Sequence, residues 1–200
     1  MRTLIKIPII HTEQDMGSLR EQTKQEYLVR YGHEKWVEHL KSIDGIWLGI
    51  SQAIGLLELP CASVRLYQDG LPLCGKEADI VRDVAAQGSK NHGLLLELMA
   101  QGARLMGTED PALLLQEYQF HQLVSHAPNQ AQEQQRLEQS RKLLLERDRF
   151  IAERINQTLL TGEIGLLFLG LAHCVETLLS ADILVRNLLP SLNGQARTRQ

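Results

Sequence analysis

Ile164-Gly165-Leu166-Leu167-Phe168-Leu169-Gly170-Leu171-Ala172-His173 follows directly on the strongest helical pattern in the chain, and reading the two together decides the fold. From Gln130 to Leu160, Leu137, Leu144, Ile151, Ile155 and Leu159 fall on one narrow stripe at about 100° per residue, the mark of an amphipathic helix. Thr161-Gly162 ends it. Ile164 to Leu169 is then an almost continuous apolar run of strand length with no wet face, as in a parallel strand covered on both sides. A long helix feeding a doubly buried strand is a fragment of an α/β layered fold.

Working outward, Thr3 to Ile10 reads as a second buried strand and Ser63 to Gln68 as a third, closed by the turn Asp69-Gly70-Leu71-Pro72. Ser18 and Glu21 form a capping box, so a helix is expected from there toward Tyr31. Gly32 breaks or bends it. Trp36, Val37, Leu40 and Ile43 continue at helical spacing, and an apolar stretch from Ile46 stops at Pro60. Glu77–Gln87 and Asn91–Gln101 read as short helices separated by Gly88, and Arg104–Gly107 as a short strand. Asp110-Pro111 opens a helix that runs to Leu123. After His173 a helix to Leu179 and a last segment, Asp182–Leu189, are expected. Strands separated by helices predict a mostly parallel or mixed sheet flanked by helices, in one domain over residues 1–190, with a polar, disordered tail at 191–200.

Composition excludes several function classes. At 200 residues, 44% hydrophobic and 22% charged, the chain has ordinary globular proportions. A net charge of −3, a pI of 6.2 and only 4% aromatic residues argue against a nucleic-acid partner. The run Ile164–Ala172 is about half the length of a membrane span. Three cysteines without a Cys-x-x-Cys pair point to a reducing compartment and away from a cysteine-only zinc site. Lys6 and Pro8 interrupt the apolar N-terminus, which therefore reads as a strand and not as a signal peptide. The expected location is the cytoplasm.

Ligands of parallel α/β sheets bind beyond the carboxyl ends of the strands. Two of the expected strands end in a histidine: Pro8-Ile9-Ile10-His11 and Gly170-Leu171-Ala172-His173. If these strands are parallel neighbours, both imidazoles emerge at one sheet edge. Glu13 and Asp15 follow His11 at two-residue steps, so an extended loop aims all three the same way. Imidazole with carboxylate suits a divalent ion such as zinc or manganese. Against this stands the alternative that each histidine caps a helix or satisfies a loop carbonyl. Asp148 and Arg141 fall within the apolar stripe of the long helix, and a buried carboxylate there needs a partner from a loop or neighbouring helix. Arg147 flanks the stripe and is placed to grip a carboxylate or an anionic ligand bidentately, or to join Asp148 in a structural pair.

Glu146-Arg147-Asp148-Arg149-Phe150-Ile151-Ala152-Glu153-Arg154-Ile155, followed by Gly170-Leu171-Ala172-His173, resembles the C-terminal signature of the TraB/PrgY/GumN family. That family includes the Tiki metalloproteases and lies near the haem-binding ChaN and erythromycin-esterase-like proteins. The resemblance implies an α/β fold, two histidines from Gly-x-x-His motifs, an acidic residue after the second strand, and the arginine of an Arg-Asn/Asp pair. In Tiki-like members these accompany metal-dependent peptide hydrolysis. Carried onto this chain, they are His173, Arg147 with Asp148, His11 with Pro8 where the family has glycine, and Asp69 with Glu109 as its alternative.

Other motifs are missing or misplaced. His11-Thr12-Glu13 lacks the Pro-Cys-x-x-Cys of zinc deaminases, and the chain has neither a Gly-x-Gly-x-x-Gly nor a Gly-x-Ser-x-Gly elbow. The pairs His121/His126 and His33/His39 have poor spacing for ligation from one helix face. Glu109 also suits the dipole of the helix it precedes. The leading expectation is thus a metal-assisted hydrolase of a small-molecule or peptide substrate. His11, His173 and Glu13 would be its ligands, with Glu13, Arg147 and Asp69 the catalytic groups. The alternatives are a non-catalytic module holding a small ligand such as haem, and a structural protein that oligomerises through helix 130–160.

Overall fold

The computed structural model describes residues 1–10, 20–122 and 130–188. Its strands are β1 (Arg2–Ile9), β2 (Val64–Gln68), β3 (Arg104–Met106), β4 (Ile164–Gly170) and β5 (Ile183–Asn187). The helices are α1 (Arg20–Gly55), α2 (Glu77–Ala86), α3 (Lys90–Ala100), α4 (Pro111–Gln122) and α5 (Gln130–Thr158). All strand pairings are parallel, in the order β3-β2-β4-β1-β5. The expected α/β layered fold is present, and the sheet is wholly parallel.

Alternation along the strands builds two cores. Ile5, Ile7 and Ile9 of β1, Val64 and Leu66 of β2, and Leu166 and Phe168 of β4 pack against α1 and α3 through Ile43, Trp47, Ile50, Ile54, Leu94 and Leu98. On the opposite face Leu4, Tyr67, Leu167 and Leu169 meet Ile151, Ala152, Ile155 and Leu159 of α5. Each fully buried aliphatic side chain contributes roughly 1.5–3 kcal/mol by leaving water. Covered on both faces and paired on both edges, β4 is the central strand, which is why its sequence is nearly all apolar. Register brings strand ends level: Ile9 pairs with Gly170, and Gln68 with Phe168.

Packing upholds some expectations and corrects others. The break expected at Gly32 is present: two helices meet there at a kink, and the residue's φ of 82° and ψ of 169° is a conformation only glycine adopts without strain. Across that kink Tyr27 stacks back on His39 and meets Trp36 edge-on, each at 5.1 Å between ring centroids. Instead of a helix over residues 173–179 there is a single 3-10 turn, Glu176–Leu178. The reason lies in α5: Asn156 donates to the Leu178 carbonyl and accepts from Ser180 N–H, pinning the segment as it crosses toward the sheet edge. The last segment is edge strand β5. Arg141 is exposed, as is Leu137, because α5 buries residues only from Arg147 onward and its first half runs past the sheet. There Arg136 lies over the Phe120 ring of α4. The capping box at Ser18, the tail at 191–200, and His11, Glu13 and Asp15 lie outside the described residues. Among the described residues no helix is long and apolar enough to cross a membrane.

Candidate functional site

Chain connections leave the central strands on opposite sides. After β2 the chain turns toward α2, whose Val81 belongs to the α1/α3 core, whereas after β4 it turns to Val175 in the α5 core. Parting connections open a crevice between the carboxyl ends of adjacent strands, the usual ligand position in such sheets. Asp69 follows β2, Glu109 comes three residues after β3, and His173 three residues after β4. Arg147 and Asp148 enter from α5 at the level where that helix first becomes buried.

Arg147 is the hub. Its Nε and Nη2 donate to the two carboxylate oxygens of Glu109, both at 2.6 Å, in a side-on fork. Nη2 also donates to Asp69 Oδ1 at 2.7 Å, and Nη1 donates to both oxygens of Glu117 at 2.7 Å. Asp69 and Glu109 are 8% and 0% exposed, while Glu117, on α4, is 33% exposed. Glu109 additionally accepts from Gly70 N–H at 2.8 Å. This fixes Glu109 inside the cluster and not at the start of α4. Asp110 serves that helix end instead, accepting from Ala112 N–H.

His173 is held from behind. Its Nδ1 lies 2.6 Å from Asp148 Oδ1, and Asp148 Oδ2 accepts from Cys174 N–H at 3.0 Å. The buried acid of α5 thus has the loop partner its position in the stripe demands. With Nδ1 donating to Asp148, Nε2 is turned toward Asp69 Oδ2, 3.5 Å away. Asp69 Oδ2 in turn accepts from Gly170 N–H at 2.9 Å. Here glycine is a steric requirement, since a Cβ on residue 170 would come within 2.8 Å of that same oxygen. The glycine three residues before His173 lets the carboxylate from the neighbouring strand reach the backbone.

The electrostatics follow from this crowding. Burial alone would raise Asp69, but His173 and Arg147 outweigh it and hold the carboxylate well below its ordinary range. Glu109 is displaced upward, chiefly by burial and further by Asp69, with Arg147 opposing. Burial would lower the His173 imidazole, yet Asp69 and Asp148 raise it above its usual value. Among the described residues the side-chain cations bonded to Asp69, Glu109, Glu117 and Asp148 are Arg147 and His173, so with the four acids ionised even a protonated imidazole leaves the cluster net negative.

The structure therefore brings together Asp69, Glu109, Arg147, Asp148 and His173. One ligand atom each from Asp69, Glu109 and His173 lies within 4.8 Å of the others, a grouping able to hold a metal ion. Asp148 orients the imidazole from behind. The strands preceding His11 and His173 are parallel neighbours, and Trp47 Nε1 pins the exit of β1 by donating to the Ile10 carbonyl at 3.1 Å. His11 and Glu13 themselves lie beyond the described residues. His33 is exposed and His39 half-buried on α1, where His39 stacks on Tyr27. Glu117 had no signal in the sequence, because an acid on a helix surface is ordinarily solvated. No family model, curated protein or solved structure matches the chain.

Proposed function

We propose that the chain is a metal-assisted hydrolase acting at the carboxyl edge of its sheet on a carbonyl-bearing or anionic small molecule or peptide. The observation that carries this reading is the convergence of Asp69, Glu109 and His173, from the ends of three successive strand positions, within 4.8 Å. The surplus of carboxylate over cationic charge supports it, since a buried net negative cluster is relieved by a cation. So does the overlap with the TraB/PrgY/GumN-like residues: Arg147 bonds Asp69, Asp69 faces His173, and His173 bonds Asp148.

Zinc or manganese would be held by His173, Asp69 and Glu109, with His11 and Glu13 joining from the segment that leaves β1 beside β4. When bound, such an ion supplies Lewis acidity. The chain's own residues do the rest. Asp148 keeps the imidazole in one tautomer with Nε2 facing the crevice. Gly170 N–H and Arg147 hold Asp69 ionised and in place beside His173, as a ligand must be. Arg147 sets the position of both strand-end acids. The haem reading has less support, because both ring nitrogens of His173 face carboxylates.

Metal titration of chelator-treated protein tests the proposal. One zinc or manganese per chain is expected, lost in His173→Ala and in Asp69→Asn and weakened in His11→Ala. Absence of binding, or binding indifferent to all three substitutions, overturns it.

A further inference from the structure

Every face of the Arg147 guanidinium is engaged inside the protein, which conflicts with any role in holding substrate unless one partner leaves. The three partners are unequal. Glu109 takes the side-on fork, is wholly buried and is tied to Gly70 N–H. Asp69 is buried and tied to Gly170 N–H. Glu117 is one-third exposed, sits on α4 instead of a strand end, and places both its oxygens on the single nitrogen Nη1. Of the three partners Glu117 is the one nearest water.

We infer that Glu117 is an internal stand-in for an anionic group of the substrate, a carboxylate or phosphate oxygen pair that replaces it on Arg147 Nη1. This rests on the reading of the crevice as a substrate site and adds to it the class of group recognised. The outward edge of Arg147 selects anionic substrates, and Glu117 sets how strongly they must compete. An oxyanion entering there occupies the spot the Glu117 carboxylate now fills, with Asp69 and the crevice alongside.

Binding of three probes distinguishes the sources of the anion: inorganic phosphate, a dipeptide with a free C-terminus, and the same dipeptide amidated. Each is titrated calorimetrically with and without saturating manganese. Glu117→Gln is expected to bind phosphate or the free dipeptide at least ten-fold more tightly than the parent chain, with the amidated dipeptide unchanged. Which of the two anions gains more identifies the source. Adding Arg147→Lys to Glu117→Gln removes the gain, and circular dichroism shows whether that double variant is folded. If it is not, Glu117→Asp, which keeps the charge and shortens the reach, provides the control with an intermediate gain. Equal affinity of parent and Glu117→Gln, or a gain shared by the amidated dipeptide, overturns the inference. Manganese binding on the same samples is read separately. Loss of ion binding with the anion gain intact fails only the hydrolase reading, and the reverse result fails only this one.

Discussion

Among the described residues two arginines are buried against this sheet, one near each end, and they are paired in different ways. At the amino end Arg65, on β2, donates from Nε and Nη2 to the two oxygens of Glu163, both at 2.8 Å. Glu163 spends its remaining capacity on Leu160 N–H. One cation meets one anion, and the connection ties β2 to the start of β4. At the carboxyl end Arg147 meets Asp69, Glu109 and Glu117, beside a histidine that faces another acid. A fold needs only the first kind of arrangement. Retaining four acids around two cationic side chains at the carboxyl edge of a parallel sheet makes sense if something positive is meant to enter. A matched ion pair reads as architecture and an unmatched one as a site.

The largest test removes both cations in turn. Arg147→Met leaves Glu109 and Asp69 buried without their counter-charge, and a loss of about 3–5 kcal/mol in urea unfolding is expected. Arg65→Met strands only Glu163, which is closer to water at 16% exposure, and about 1–3 kcal/mol is expected. Equal losses would break the distinction between the two ends.

Ion affinity sharpens the comparison next. Asp148→Asn keeps shape but weakens the hold on His173 Nδ1, and a 10–100-fold fall in manganese affinity is expected from loss of a second-shell acid. Glu163→Gln, at the other end, should leave that affinity where it was. A fall in both would mean that fold integrity, not site chemistry, controls binding. Backbone clearance gives a related test. Gly170→Ala forces a methyl to within 2.8 Å of Asp69 Oδ2, and overpacking of this kind costs about 1–3 kcal/mol, here with a displaced carboxylate and weaker ion binding.

How far the sequence reveals these two ends depends on what local pattern can carry. The central strands β1, β2 and β4 are legible because burial on both faces makes them runs of aliphatic residues. Edge strand β5 is not: Leu184 is 38% exposed, Arg186 and Asn187 face solvent, and its five residues match no clear period. Asp148 stands out as an acid within an apolar stripe, and Asp69 and His173 as polar residues just past strands. Arg141 satisfied the same stripe rule and is exposed, because periodicity does not tell where along a helix the core ends. That β2 and β4 are neighbours depends on strand order, set by crossovers of many tens of residues. For that reason the meeting of Asp69 with His173 and Glu109 could not be read from spacing. Glu117 was invisible for a different reason: its meaning lies wholly in a partner thirty positions away on another helix.

The smallest effect expected is also the cleanest test of the amino-end pair as ordinary architecture. Arg65, by hydrogen bond first and by charge second, holds Glu163 below its ordinary value of 4.5, with burial opposing. A carboxylate depressed in the folded state favours folding above its unfolded pKa, and that contribution disappears as pH falls through the lower folded value. Stability of the parent chain should therefore decline on acidification from about pH 4.5 downward in part through this group. Glu163→Gln cannot lose a charge it does not have. Its stability should be lower than the parent's at neutral pH by about 1 kcal/mol, because Gln keeps one acceptor oxygen for Arg65, and the gap should narrow as pH drops. A gap that widened in acid would mean that Glu163 is not stabilised by Arg65. The two ends of the sheet would then differ in something other than the balance of their charges.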